Sequence, residues 1–325
     1  MIKKDIGLLI LILVVGATVA LINPRFISPI NIANTANLIG LFGIFSIGQA
    51  FVIITGGIEL SVGSVIALIG VLFVDLTVNH AVPWPLALML MLALGTLIGL
   101  AHGLLITRMH LQPFIVTLCG LLIYRGAARF YTADATAGFV FGVSFPSLEW
   151  LTTGRFYGVP HSLIAMIVIA AIMWIVLHRS VFGRYLYAVG KNEEAARYSG
   201  VPTNKVIVAA YVICGILTAI SAIFFAMYTR SISPSSHGNF YELYAIAASV
   251  LGGFSLRGGE GSIVGVVLGT ILLQVLQNLV NLLGIPSSLN FAVMGSVILV
   301  GVLADTQFAE FRKRRATGKR GAVLS

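Results

Sequence analysis

The chain has 325 residues, of which 58% are hydrophobic and only 10% charged. A soluble domain carries about 25% charged residues, so a soluble globular protein, a disordered chain and a collagen-like fibre are excluded. The net charge of +9 and the two cysteines, Cys119 and Cys214, both in apolar runs, describe a membrane protein with flanking positive charge and no disulfide framework.

Ten apolar segments follow in chain order, roughly 6–23, 36–54, 60–78, 86–107, 114–131, 161–178, 206–228, 242–256, 262–283 and 288–304. They are continuous and about a span in length, not the alternating ten-residue segments of a barrel. The fold class expected is therefore an all-α integral membrane protein with about ten transmembrane helices. Lys3-Lys4 and Thr18-Val19-Ala20 resemble parts of a signal peptide. The first run is long for one and nine more follow, so it is read as a retained helix.

An even number of spans with the N-terminus inside puts both termini in the cytoplasm. The inside segments then hold Lys3, Lys4, Arg108, Arg179, Arg184, Lys191, Arg197, Lys205, Arg257 and the tail residues Arg312, Lys313, Arg314, Arg315, Lys319 and Arg320. That is fifteen of the 20 basic residues, as the positive-inside rule expects. Residues 1–304 are read as one polytopic domain and 305–325 as a basic cytoplasmic tail. No folded or aromatic module accompanies the tail, so nucleic acid is not expected as a partner. Residues 132–160 form a large outside loop, and 179–205 a cytoplasmic loop.

The cytoplasmic loop is the most polar stretch. Asn192 is a good N-cap, and Glu193 and Glu194 fall where the helix dipole favours acids. Gly200 and Pro202 end the helix. One helix of about two turns is expected, too short to stand alone, with Ala195, Ala196 and Ser199 as a low-relief face suited to a partner's cleft.

The pattern Gly190-x-Asn192-x-x-Ala195-Ala196-x-x-Ser199-Gly200-Val201 resembles the cytoplasmic coupling segment of ribose-type sugar-importer permeases. These are the membrane subunits of ATP-binding cassette (ABC) transporters. Asn23-Pro24-Arg25-Phe26 after the first span is similar to that family. So is Thr55-Gly56-Gly57-Ile58-Glu59-Leu60-Ser61-Val62-Gly63, which carries Glu59 where the common form has Asp. Gln112-Pro113-Phe114-Ile115-Val116-Thr117-Leu118 and the glycine-rich stretch from Leu251 to Ser262 complete the resemblance. It implies a permease of the inner (plasma) membrane that works as a pair with a second copy or a paralogue. A cytoplasmic ABC ATPase would act on Gly190, Asn192, Glu193, Ala195, Ala196, Ser199 and Gly200. An external sugar-binding protein would deliver the solute, and membrane lipid would surround the spans. The chain contains no Gly-x-x-x-x-Gly-Lys-Ser/Thr phosphate loop. No cofactor is expected on it, and ATP would be used by the partner ATPase.

Within the spans, Glu59 either lines a path at the Gly56-Gly57 break or favours the start of the third helix. Glu242 has the same two readings at the outer start of the eighth. Phe114 and Thr117, in the motif opening the fifth span, join the candidate path. Arg125 and Arg129 share a helix face and either meet a polar solute or docking protein, or snorkel outward. His102 reads as a hydrogen-bonded packing residue, with no metal-ligand spacing around it. Gln274, Gln277, Asn278 and Asn281 fall at i, i+3, i+4 and i+7 on the ninth span. Such an amide stripe either lines a sugar path or bonds across a helix interface. Gly56-Gly57-x-x-Leu60-x-x-Gly63 and Gly252-Gly253-x-x-Leu256-x-x-Gly259 hint at an internal repeat. An ion-coupled secondary transporter of a small polar solute is the alternative to the importer. A membrane enzyme is disfavoured, because no catalytic constellation is readable.

Overall fold

Proline and capping residues set the helix starts in the computed structural model, which describes residues 2–139, 144–286 and residues 289, 292, 295, 296 and 299. The helices are α1 (Ile2–Ile22), α2 (Pro29–Ile53), α3 (Val62–Val78), α4 (Trp84–Arg108), α5 (Pro113–Thr132), α6 (Pro146–Thr153), α7 (His161–His178), α8 (Val181–Lys191), α9 (Glu193–Tyr198), α10 (Thr203–Thr229), α11 (Tyr241–Leu251) and α12 (Ile263–Leu282). Pro29, Pro113 and Pro146 each open a helix where the missing N–H costs nothing. The Ser262 hydroxyl caps α12 by accepting from Gly265 N–H at 2.9 Å.

Seven of these helices are long and apolar enough to cross a membrane: α1, α2, α4, α5, α7, α10 and α12. The chain is thus an all-α, multi-pass membrane protein. The third and eighth expected spans fall on shorter apolar helices, α3 and α11. Only five scattered residues of the tenth expected span are described, and the basic tail lies outside the described residues.

α2 is the central helix, packed on α7, α10, α11 and α12. Its run from Gly40 to Ile53 is buried throughout. α4 crosses α10 closely through Gly95, Gly99 and Gly103, one turn apart. A Cβ on Gly95 would stand 2.5 Å from the Gly215 carbonyl oxygen, and one on Gly103 2.7 Å from Val208 Cα. Small residues at this spacing let membrane helices approach backbone to backbone.

The non-helical segments gather at two ends. At one, Gly259 N–H donates to the Ile54 carbonyl at 2.8 Å beside α8 and α9. At the other, Asn23 Nδ2 donates to the Leu282 carbonyl at 3.1 Å, and Trp84 Nε1 to Ser147 Oγ at 3.1 Å. A cap covers that second end. In it β1 (Ala137–Gly138) pairs antiparallel with β4 (Ser231–Ile232), and β2 (Arg155–Phe156) with β3 (Val159–Pro160). Arg230 donates to Glu149 Oε1 at 2.6 Å and covers the Phe139 ring at 5.0 Å. Hydrogen bonding from Arg230 holds the Glu149 carboxyl below its ordinary 4.5.

The segment from Ile232 to Phe240 does not stay at the surface. Ile232 packs on Gly70, and the Gly238 carbonyl lies directly on Gly63, the second residue of α3. α11 therefore begins alongside the start of α3, and with 11 residues it covers only about 16 Å. The expected span at 242–256 is a half-helix, and Glu242 lies inside the bundle, not at an outer helix start.

Candidate functional site

Two helices, not one, occupy the loop from 179 to 202. α8 was not foreseen, because its polar residues Arg184 and Lys191 mask an amphipathic pattern in which Gly183, Leu186 and Val189 are buried. Asn192 then caps α9, its Oδ1 accepting from Ala195 N–H at 2.9 Å, with Glu193 and Glu194 in the first turn. Gly200 has φ +83°, the left-handed conformation that ends such helices. The expected low-relief face is divided. Ala195 and Ser199 are exposed, but Ala196 is 6% exposed and packs into the chain's own core. Tyr198, which sequence reasoning passed over, is 84% exposed on the same helix.

Gly190 joins this unit to the rest of the molecule. A Cβ there would overlap both the Ile54 carbonyl oxygen and the Gly259 nitrogen. Around it, Lys191 Nζ pairs with Glu260 Oε1 at 2.5 Å, and the Tyr187 hydroxyl donates to the Gly261 carbonyl at 2.8 Å. Gly56, in turn, faces the Arg257 carbonyl at 3.6 Å from a hypothetical Cβ. The two glycine blocks that look like a repeat thus meet at one junction, with the last turn of α8 wedged between them.

A cleft of about 450 Å³ opens beside α9, lined by Gly56, Thr107, His110, Gln112, Glu193 and Arg197 and reaching inward to Tyr211. Beyond Tyr211 the chain is non-helical from Ile58 to Ser61, and its polar groups are met from three helices. Thr117 Oγ1 donates to the Ile58 carbonyl at 3.2 Å, and the Tyr211 hydroxyl donates to the same oxygen at 3.4 Å. Glu59 is 5% exposed. Its Oε1 accepts from Ser61 N–H at 2.7 Å and from Ser61 Oγ at 2.6 Å. Its Oε2 stands 2.7 Å from His102 Nδ1, and His102 Nε2 stands 2.9 Å from the Tyr124 hydroxyl. The carboxylate accepts throughout, which assigns the proton to Nδ1 and leaves Nε2 to accept from Tyr124. The result is a chain from the segment before α3 through α4 to α5. His102 is hydrogen-bonded, as expected, but to a carboxylate 43 positions away. Two isolated ionisable groups in apolar spans seek partners, and that signal could have paired them.

The other candidate residues are dispersed. Phe114 points outward from α5 and is 51% exposed. Arg125 does not snorkel: one guanidinium nitrogen donates to the carbonyls of Pro234 at 2.9 Å and His237 at 2.7 Å. Arg129 pairs with Asp134 at 2.6 Å on the surface. The amide stripe lies elsewhere, on α12, which packs against α1, α2, α7 and α11. Asn278 and Asn31 exchange reciprocal amide bonds at 3.0 and 2.8 Å, so this member bonds across a helix interface. Gln274 and Gln277 each keep a buried Oε1 without a partner among the described residues, and Asn281 is exposed. Among the described residues no three His, Cys, Asp or Glu side chains converge to hold a metal.

A central helix, two half-depth helices and a seated loop unit describe a membrane permease, and the comparisons place it in a family. Residues 31–302 match the model for the permease component of the branched-chain amino acid transport system. The chain belongs to that family of transport permeases and is a transport subunit, not an enzyme. It is 39% identical to the ribose import permease protein RbsC of Bacillus subtilis (strain 168), over 92% of this chain and 91% of that protein. It is 33% identical to the galactofuranose transporter permease protein YtfT of Escherichia coli (strain K12), over 87% and 80%. It is 32% identical to the fructose import permease protein FruF of Bifidobacterium longum (strain NCC 2705), over 78% and 71%. No solved structure matches it.

Proposed function

We propose that this chain is the membrane-spanning subunit of an ATP-driven importer that translocates a sugar delivered by an external binding protein. The observation that carries the reading is the kinship with sugar permeases along more than three quarters of the chain. The seat of α8 and α9 adds support, because a load on α9 bears on Gly190 and through it on both glycine breaks. Gly190, Asn192, Glu193, Ala195, Ser199 and Gly200 form the coupling segment, with Ala196 anchoring it and Tyr198 added as a contact residue. A cytoplasmic ABC ATPase docks there and consumes the ATP. A second copy or a paralogue completes the membrane unit, in the inner membrane, with ten spans and both termini cytoplasmic. Glu59, Phe114, Thr117, Gln274, Gln277 and Asn281 remain candidates for the path.

The test is purification of the tagged chain from its native membranes, with partners identified by mass spectrometry. Recovery of an ATPase and a sugar-binding protein is expected. Repeated recovery with neither would overturn the importer reading. Tyr198→Ala should cut ATPase recovery about tenfold while leaving the chain folded, since exposed aromatic anchors dominate contacts of this size.

A further inference from the structure

The passage from Ser233 to Phe240 is irregular backbone at a depth where irregular backbone is costly. Gly238 lies on Gly63, and Gly63 is fifteen residues from the outer end of α3 at Val78, about 22 Å of helix rise. The hydrocarbon core is about 30 Å thick, so the passage reaches past the middle of the membrane. Exposed loops do not occur there against lipid. They are tolerated only where they are buried in protein or line a water-filled cavity. Yet Ser235, Ser236 and Asn239 are all exposed on this chain. Among the described residues Ser236 Oγ and Asn239 Oδ1 have no hydrogen-bond partner. Immediately behind them His237 Nε2 is buried without one, as are both polar atoms of Gln49. Gln49 lies one turn beyond Phe45, whose ring stacks on Tyr241 at 5.9 Å, and His237 lies 6.3 Å from that same Tyr241 ring.

The rest of the passage is firmly held. Arg125 fixes the carbonyls of Pro234 and His237. His237 N–H donates to the Ser233 carbonyl at 3.0 Å, and Asn239 N–H to the Ser236 carbonyl at 3.2 Å. The Ser235 hydroxyl stands 3.2 Å from that of Ser233, and Asn239 Nδ2 donates to the Ser235 carbonyl at 3.3 Å, which leaves the Ser236 hydroxyl and Asn239 Oδ1 open. A fixed backbone with exposed hydroxyl and amide groups at mid-depth suits a solute that both donates and accepts hydrogen bonds.

We propose that Ser233–Phe240 is a wall of the solute path, with Ser235, Ser236 and Asn239 meeting the hydroxyls of a passing sugar and Arg125 as the positioning residue that holds the wall in place. The identity of the solute rests on the importer reading above; the presence of a wet wall does not.

The test uses the full chain in proteoliposomes, with Cys119→Ser and Cys214→Ser as background and single substitutions Ser235→Cys, Ser236→Cys and Asn239→Cys. The probe is a charged, membrane-impermeant methanethiosulfonate. Met89→Cys, on α4 and 66% exposed, is the lipid-facing control. At least two of the three positions should react about tenfold faster than the control, as water-lined positions do and lipid-facing ones do not. Rates equal to the control at all three would overturn the proposal. So would ready disulfide formation between two copies at Asn239→Cys without probe reactivity, which would make the passage a copy-to-copy contact. A reactive wall on a chain that recovers no ATPase keeps the path and removes the importer. An unreactive wall on a chain that recovers one does the opposite.

Discussion

Gly190→Ala isolates the junction between α8 and the two glycine breaks. Gly190 sits inside α8, so the substitution gains about 1 kcal/mol of helix propensity. Against this, the new Cβ would overlap the Ile54 carbonyl and the Gly259 nitrogen, both of them backbone atoms. Backbone cannot rotate away as a long side chain can, and overpacking of this kind costs about 1–3 kcal/mol. The same methyl also pries apart the Gly259 N–H to Ile54 carbonyl bond, which contributes about 0.5–1.5 kcal/mol. The sum favours destabilisation, by about 0.5–3.5 kcal/mol after the propensity gain is subtracted. The assay is thermal unfolding of the purified chain in detergent. Gly126→Ala serves as the control, since Gly126 also lies in a helix but has nothing within 4 Å of a Cβ; it should be neutral or slightly stabilising. Equal melting of the two variants would refute the wedge and, with it, the mechanical link from α8 to both breaks.

The buried pair gives a second prediction. Glu59→Ala and His102→Ala should each cost about 3 kcal/mol, because each strands a buried polar partner. The double variant should cost clearly less than the sum; strict additivity in a double-mutant cycle would mean that the two do not interact. Arg125→Ala removes the donor from two carbonyls and should destabilise by about 2 kcal/mol or more. Arg125→Lys should recover part of that in the same melting assay, and no recovery would argue that packing, not donation, is what matters. Glu149 and Arg230 in the cap predict a pH response. The folded carboxyl titrates below 4.5 because Arg230 donates to it. Its contribution is therefore complete above the unfolded value and is lost as pH falls through the lower folded value. The side chains are 31% and 42% exposed, so the effect is under about 1 kcal/mol. Acid melting curves of Glu149→Gln should lack that small drop below pH 4.5 while otherwise following the parent.

The helices were readable because apolar runs and their Pro and Gly boundaries are local signals. Nine of the ten expected segments fall on described helices. The α9 cap at Asn192 and its stop at Gly200 were legible for the same reason: both are contacts within four residues. What escaped depends on distance along the chain. Glu59 and His102 lie on different elements, and no periodicity joins them. Arg125 looked like a surface cation because its acceptors are main-chain carbonyls, which carry no mark in a sequence. The direction of Ala196 was missed because a six-residue helix has no periodicity long enough to separate its faces.

The half-length of α11 follows from the same arithmetic that defines a span. Eleven helical residues cover about 16 Å, so the remaining depth on that side must be crossed by the passage from Ile232 to Phe240. α3 is short for the matching reason, since the non-helical residues from Ile58 to Ser61 take up part of its crossing. The two helices begin against each other, Gly63 on Gly238, while the segments that precede α3 and follow α11 meet at Gly190. Any shift of α8 thus acts on the approaches to both half-helices together. If Ser233–Phe240 is the wall of the path, then the junction at Gly190 and the wall lie at opposite ends of α11, and both adjoin the approach to the start of α3. Gly190→Ala should then change the probe reactivity of Ser236→Cys as well as the melting temperature. A shifted melting point with unchanged reactivity would show that the junction stabilises the fold without reaching the path.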